Sequence, residues 1–188
     1  HLAALLLTLL ASACAGDAEG PRRWIVANVH PPGYPTADAL AGLAEALAAD
    51  PVLASSLSLD LQRGGALGNE KEVLEKLRFG GIQGAVTSVA PLAEFVPAVG
   101  VLTLPYLFRD EAHFWEVLEG PVGGELLAEL GREGLVGLAW YDAGARSFYN
   151  ARRPVRRPAD LAGLKIRVQG SEIMRETVAA LGATPVAI

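Results

Sequence analysis

Short apolar runs alternate with amphipathic stretches along most of this chain. Residues 24–29 are a mainly apolar run of strand length, the pattern of a strand covered on both faces in a parallel sheet. After the turn-rich Pro31-Pro32-Gly33-Tyr34-Pro35, Leu40, Leu43 and Leu47 recur at helical spacing, which predicts a helix over 36–49 capped by Thr36. Residues 56–61 alternate as a second strand. The loop Gly64-Gly65-Ala66-Leu67-Gly68 leads to Asn69, placed to cap a helix over 70–79. Residues 84–88 read as a third strand, and 101–104 as a short one between Gly100 and Pro105. Helices follow over 110–118 and 121–133, with Pro121 suited to a first helical position. Residues 135–141 read as a buried strand and 147–150 as another after the Gly144 turn, a pair expected to cross from a first lobe to a second. Leu164, Ile166 and Val168 then alternate with Lys165, Arg167 and Gln169, and Ser171 starts a last helix with Glu172 in its first turn.

Strands alternating with helices imply βαβ units and an α/β fold, a parallel sheet with helices on both faces. Ligands of such sheets bind at the carboxyl ends of the strands. Here those ends are Val29-His30, Leu61-Gln62 and Thr87-Ser88. His30 is the loop residue nearest the first strand end, and a lone histidine there is more often structural than a ligand.

Ahead of the first strand, residues 2–14 form an apolar run that is too short for a membrane span, which needs about 20 apolar residues. It has the size of a signal-peptide core followed by small residues. Ala11-Ser12-Ala13 before Cys14 resembles a lipobox, with Cys14 lipidated; the alternative is a secretory peptide cut near Ala15. Residues 1–23 are therefore expected to be leader and tether, 24–139 a first ligand-binding lobe, and 140–188 crossover strands and the start of a second.

Composition narrows the chemistry. The chain is 51% hydrophobic and 20% charged, which fits a folded domain. A net charge of −5 argues against a nucleic-acid partner, which wants a basic face. One cysteine and three histidines are too few for a zinc or iron–sulfur site, so no metal and no cofactor is expected. No Gly-x-Ser-x-Gly elbow, His-Glu-x-x-His or P-loop occurs, and His113 beside Asp110 and Glu111 fits a solvated helix start; an enzyme is not expected. The cluster Arg152-Arg153-Pro154-Val155-Arg156-Arg157 reads as a solvated loop. Arg167 stands apart. An arginine near the carboxyl end of a strand, facing a helix N-terminus, can hold a carboxylate in two parallel hydrogen bonds. On local pattern alone it is equally an exposed strand residue or an ion-pair partner.

Ordered motifs bear on that choice. The run 156–168, with Leu161-Ala162-Gly163-Leu164-Lys165-Ile166-Arg167-Val168 at its end, resembles the signature of the extracytoplasmic solute-binding proteins of TRAP transporters, the DctP-type family. Leu77-Arg78-Phe79-Gly80-Gly81-Ile82-Gln83, Thr87-Ser88-Val89-Ala90-Pro91-Leu92, Leu104-Pro105-Tyr106-Leu107-Phe108, Gly134-Leu135-Val136-Gly137-Leu138-Ala139-Trp140 and Gly144-Ala145-Arg146 follow that family's order. The resemblance covers about 24–188. It implies a two-lobed, Venus-flytrap periplasmic binding protein. Its relatives are longer, so the chain is expected to be a fragment with an incomplete second lobe. It implies capture of a small organic carboxylate outside the cytoplasm, hinge closure, and delivery to integral membrane TRAP permease subunits, with Cys14 as a possible anchor. It implies that Arg167 clamps the carboxylate and that Arg146 helps, the alternative for Arg146 being a hinge ion pair. Ser88 and Asn69 match positions that reach ligands in some members, and each is equally a cap or turn residue. The chain departs from the pattern at Gln83, an amide in place of an acid. Pro91 replaces an arginine of sialic-acid-binding relatives, which disfavours that ligand. A binding protein of an ABC-type transporter, or a carboxylate-sensing domain, is the alternative function.

Overall fold

A strand covered on both faces needs neighbours on both edges, and the first apolar run has them. The computed structural model describes residues 20–187. Strand β1 (Arg22–Asn28) lies between β2 (Leu57–Gln62) and β3 (Gly84–Val86), parallel to each, in the order β2-β1-β3. Its buried end is Val26-Ala27-Asn28, while Arg22, Arg23 and Trp24 are exposed. The strand starts within the expected tether because Arg22 and Arg23 pair with Leu57 and Ser58. β3 is shorter than expected, but Gln83 continues its pairing. The Gln83 backbone N–H donates to the Ile25 carbonyl at 3.0 Å, and its side-chain Oε1 accepts from the Ile25 N–H at 2.9 Å.

Helix α1 (Pro35–Ala49) is capped at Tyr34 and not at the expected Thr36. Proline at the first position has the helical φ already set and lacks only an N–H that would find no partner. Thr36 is buried instead, and its Oγ1 accepts from Asn28 Nδ2 at 3.4 Å. A helix absent from the sequence reading, α2 (Pro51–Ser56), follows where Asp50 Oδ1 accepts from the N–H groups of Val52 and Leu53 at 2.9 and 3.0 Å. Helix α3 (Glu70–Arg78) has the expected Asn69 cap, in a full capping box with Glu72. It serves two cores. Val73 packs with Ala27 and Ile82 against the sheet. Leu74 packs with Leu92, Val96, Val99, Leu126 and Leu130 in a helical cluster built with α4 (Val89–Leu92) and α6 (Pro121–Glu129). Each of these buried side chains contributes about 1.5–3 kcal/mol. α5 (Glu111–Leu118) begins one residue later than expected because Asp110 is its cap.

Three expected strands do not form. Residues 101–104 lie in a 3-10 turn, Pro97–Thr103, with Pro97 in its first turn and Thr103 Oγ1 donating to the Gly100 carbonyl at 2.7 Å. Leu102 packs on the helical cluster while Val101 and Leu104 stay exposed, and the neighbouring Gly100 lies where a Cβ would stand 2.7 Å from Ile173 Cδ1. Residues 135–141 and 147–150 are neither helix nor strand. A strand exists only beside a ladder partner, and among the described residues no strand pairs with them. Leu135 still packs into the helical cluster and Trp140 leans on it, whereas Val136 and Leu138 are 82% and 85% exposed.

The chain then builds a second parallel unit. β4 (Lys165–Val168) pairs with β5 (Thr184–Ala187) through the connecting α7 (Glu172–Ala180). Leu161, Leu164, Ile166, Val168, Val178 and Ala183 form its core. The start of α7 rests on the first unit, where the Glu172 N–H donates to Glu94 Oε1 at 2.8 Å and Ile173 meets Gly100.

Candidate functional site

Parallel strands deliver loops and helix starts to one end of a sheet, and three of them converge here. β3 ends at Val86, and Ser88 caps the short α4. α3 starts at Glu70, directly after Asn69. β4 ends at Val168, followed by Gln169. Glu70 joins these starts and ends. Its Oε1 accepts from the Ser88 backbone N–H at 2.7 Å, and its Oε2 accepts from Gln169 Nε2 at 2.8 Å. Gln169 Oε1 in turn accepts from Arg146 Nη2 at 2.7 Å. One run of hydrogen bonds therefore links the first sheet, α3, the 134–150 segment and β4. A carboxylate with two donors suits a helix start, where the partial positive charge of the first turn favours an anion.

Arg167 lies on the exposed face of β4, with Ile166 and Val168 buried on either side. Strand alternation sends residues 167 and 169 to the same side. Arg146 reaches that side from the 134–150 segment, so both arginines serve the carboxyl end of β4. Each is exposed, and the planar fork of a guanidinium matches the geometry of a carboxylate.

The other expected site residues fall into place less centrally. Asn69 is adjacent to Glu70 but is engaged as a cap: its Oδ1 accepts from the Glu72 N–H at 3.1 Å, and Glu72 Oε2 accepts from the Asn69 N–H at 2.8 Å. Ser88 joins the network through its backbone and not its hydroxyl. His30 stacks on Tyr34, with ring centroids 3.9 Å apart and planes 14° from parallel. Its backbone carbonyl accepts from Gly64 at 2.9 Å, which ties the β1 end to the glycine-rich loop. Pro91 is buried in α4. Cys14 lies outside the described residues. The sequence reading missed Glu70 and Gln169. Gln169 carried a signal, since it shares the polar side of the β4 alternation with Arg167. Glu70 carried only its place in the first turn of a capped helix.

The arginine cluster after Asn150 is explained without a ligand. Arg153 donates through Nε to the Asp160 carbonyl at 2.9 Å and through Nη2 to the Ala162 carbonyl at 2.5 Å. The Asp160 carboxylate accepts from the backbone N–H groups of Arg156 and Arg157 at 3.0 and 3.1 Å. Those bonds, the Arg156 one foremost, hold its pKa below the ordinary 3.8. Among the described residues, no group of three or more His, Cys, Asp or Glu is placed to hold a metal ion, and no helix is long and apolar enough to cross a membrane.

Comparison with known proteins places these features. Residues 26–188 match the model of the bacterial extracellular solute-binding proteins, family 7, named DctP. A solute-binding protein of Chromohalobacter salexigens is 30% identical over 187 residues, covering 98% of this chain and 55% of that protein. A TRAP periplasmic solute-binding protein of Roseobacter denitrificans, solved with bound β-D-glucuronate, superposes with a TM-score of 0.85 at 36% identity, over 89% of this chain and 55% of that one. One from a Bradyrhizobium species, in complex with D-galacturonate, gives a TM-score of 0.83 at 43% identity, over 89% and 55%. The chain thus spans about half the length of these relatives. The match runs through both parallel α/β units, and the chain belongs to the DctP family of bacterial extracellular solute-binding proteins.

Proposed function

We propose that this chain supplies the first lobe (24–139), the crossover (140–163) and the opening βαβ unit of an extracytoplasmic binding protein that captures a sugar acid by its carboxylate and passes it to a TRAP permease. The observation that carries the reading is the convergence of Arg146 and Arg167 at the carboxyl end of β4, with Arg146 tied through Gln169 and Glu70 to the first sheet. Arg167 takes the carboxylate in a bidentate clamp and Arg146 adds a donor from the crossover. A carboxylate entering a closing cleft loses its water and needs such donors. Two charge-assisted bonds contribute about 3–6 kcal/mol, roughly two to four decades in affinity. The half-exposed ends of β1 and β3, at His30 and Ser88, with Asn69 beside them, form the facing wall. Closure of the two lobes on the ligand gives the form that the permease recognises.

The glucuronate and galacturonate held by the two solved relatives favour a hexuronate over a C4-dicarboxylate. Calorimetric titration of the complete protein with D-glucuronate, D-galacturonate and L-malate tests this. Arg167→Lys, which keeps the charge and loses the fork, is expected to weaken uronate binding by about a hundredfold, one of the two bonds lost and the other displaced. Near-native affinity in that variant refutes the bidentate clamp; tight malate binding without uronate binding refutes the substrate class. Retention of Cys14 as a lipid anchor belongs to the same reading. Intact-mass analysis of the mature protein checks it, and a polypeptide starting beyond Cys14 ends it.

A further inference from the structure

The amide of Gln169 stands between two opposite charges. Nε2 donates to Glu70 at 2.8 Å, and Oε1 accepts from Arg146 at 2.7 Å. Only a side chain with a donor and an acceptor on one planar group satisfies both neighbours. A carboxylate at 169 would face Glu70 with acceptor against acceptor, and a cation would repel Arg146. The arrangement also governs how much of the Arg146 charge is already answered. Among the described residues Arg146 forms no ion pair of the kind seen for Arg23 with Asp60 or Arg78 with Glu133. Its partner is a neutral amide, which a ligand carboxylate outcompetes, because a charge-assisted bond is roughly twice as strong as a neutral one. Glu70 is the nearest carboxylate in the network, and the amide fills the space between it and the guanidinium.

We propose that Gln169 is a positioning residue that keeps the Arg146 guanidinium out of an ion pair with Glu70 and so leaves its charge for the ligand carboxylate. The inference rests on the assignment of Arg146 to ligand binding made above. Its consequence is specific. Replacing the amide with an apolar side chain of the same length lets Arg146 turn to Glu70, and ligand affinity falls because the arginine is now internally neutralised. Removing the Glu70 charge as well takes away the competitor, and affinity returns. A purely structural role for Gln169 gives the opposite pattern, since two broken contacts then compound each other.

The test is calorimetric titration of the complete protein with D-glucuronate, with D-galacturonate as second probe, in the wild type, Gln169→Met, Glu70→Gln, the double variant Gln169→Met/Glu70→Gln, and Arg146→Ala. The expected result is a loss of about tenfold in Gln169→Met, one charge-assisted bond diverted. The double variant recovers to within about threefold of Glu70→Gln, the background against which the loss in Gln169→Met is read. Gln169→Leu replaces Gln169→Met should the latter not melt cooperatively. Wild-type affinity in the apolar variant, or a double variant weaker than Gln169→Met, overturns the proposal. Arg146→Ala separates the two failures: if it weakens binding and Gln169→Met does not, only the positioning role falls, whereas undiminished binding in Arg146→Ala removes the assignment of Arg146 and this inference together.

Discussion

Replacing Glu70 with alanine cuts the network at its one charged acceptor. Two hydrogen bonds are lost, from the Ser88 N–H at 2.7 Å and from Gln169 Nε2 at 2.8 Å. Bonds to a charged group contribute about 1.5–3 kcal/mol each when well buried. Glu70 is half-buried, so water recovers about half of that, and about 0.8 kcal/mol per bond remains. The charge at the first position of α3 adds about 0.3–1 kcal/mol through the helix dipole. The expected loss is about 2 kcal/mol. Glu70→Gln keeps one acceptor oxygen and loses the charge and the second acceptor, for about 1 kcal/mol. Ser88→Ala is the control: its hydroxyl takes no part in the bond to Glu70, and stability should hold within about 0.5 kcal/mol. Urea unfolding of the complete protein followed by circular dichroism reads all three, with equal slopes required for the comparison. An alanine variant within about 0.5 kcal/mol of wild type refutes the claim that these bonds join the two units energetically.

Asn69→Ala removes the capping box and should cost about 1 kcal/mol in the same unfolding assay. Gly123→Ala places a Cβ 1.9 Å from the Leu118 carbonyl oxygen, backbone that cannot step aside, so a loss of at least about 2–3 kcal/mol or failure to fold is expected on purification and melting. Asp160 has its pKa held below 3.8 by backbone N–H bonds, chiefly that of Arg156, so its contribution is complete above the unfolded value and is lost as pH falls through the folded one. The melting-temperature gap between wild type and Asp160→Asn should therefore stay constant from neutral pH down to about 5 and close below about 4; a gap that widens in acid contradicts the assignment.

Local signals carried most of the elements into the sequence reading. Asn69, Asp110 and Pro121 marked helix starts because caps and first-turn prolines act through neighbouring backbone groups. The period of two at 164–168 marked β4 because its core face packs within its own βαβ unit. What failed needed partners distant in sequence. Residues 135–141 are a continuous apolar run of strand length, yet strand formation depends on a ladder neighbour and not on apolar character. Residues 101–104 follow Gly100, whose turn packs closely on Ile173 of α7, a contact across more than seventy positions that no local window contains. The same limit hid half the site. Arg146 and Arg167 were candidates through the family resemblance, whereas Glu70 enters the hydrogen-bond network only when the fold brings Ser88 and Gln169 to it.

That dependence explains why α3 matters more to the site than its length suggests. One residue apart, Val73 sits in the sheet core and Leu74 in the helical cluster, so two packed bodies fix the rotation and height of the helix. Packed interiors resist small displacements. The capping box fixes the start of the same helix, and Glu70 lies one residue beyond the cap. The carboxylate that reaches toward Gln169 is thus held by a rigid element and not by a loop, which is the condition for placing charge accurately in a binding site. Arg146 has the reverse support, an exposed segment with no regular structure. Its aim must come from what it touches, and the contact it makes is to the one side chain that α3 itself positions.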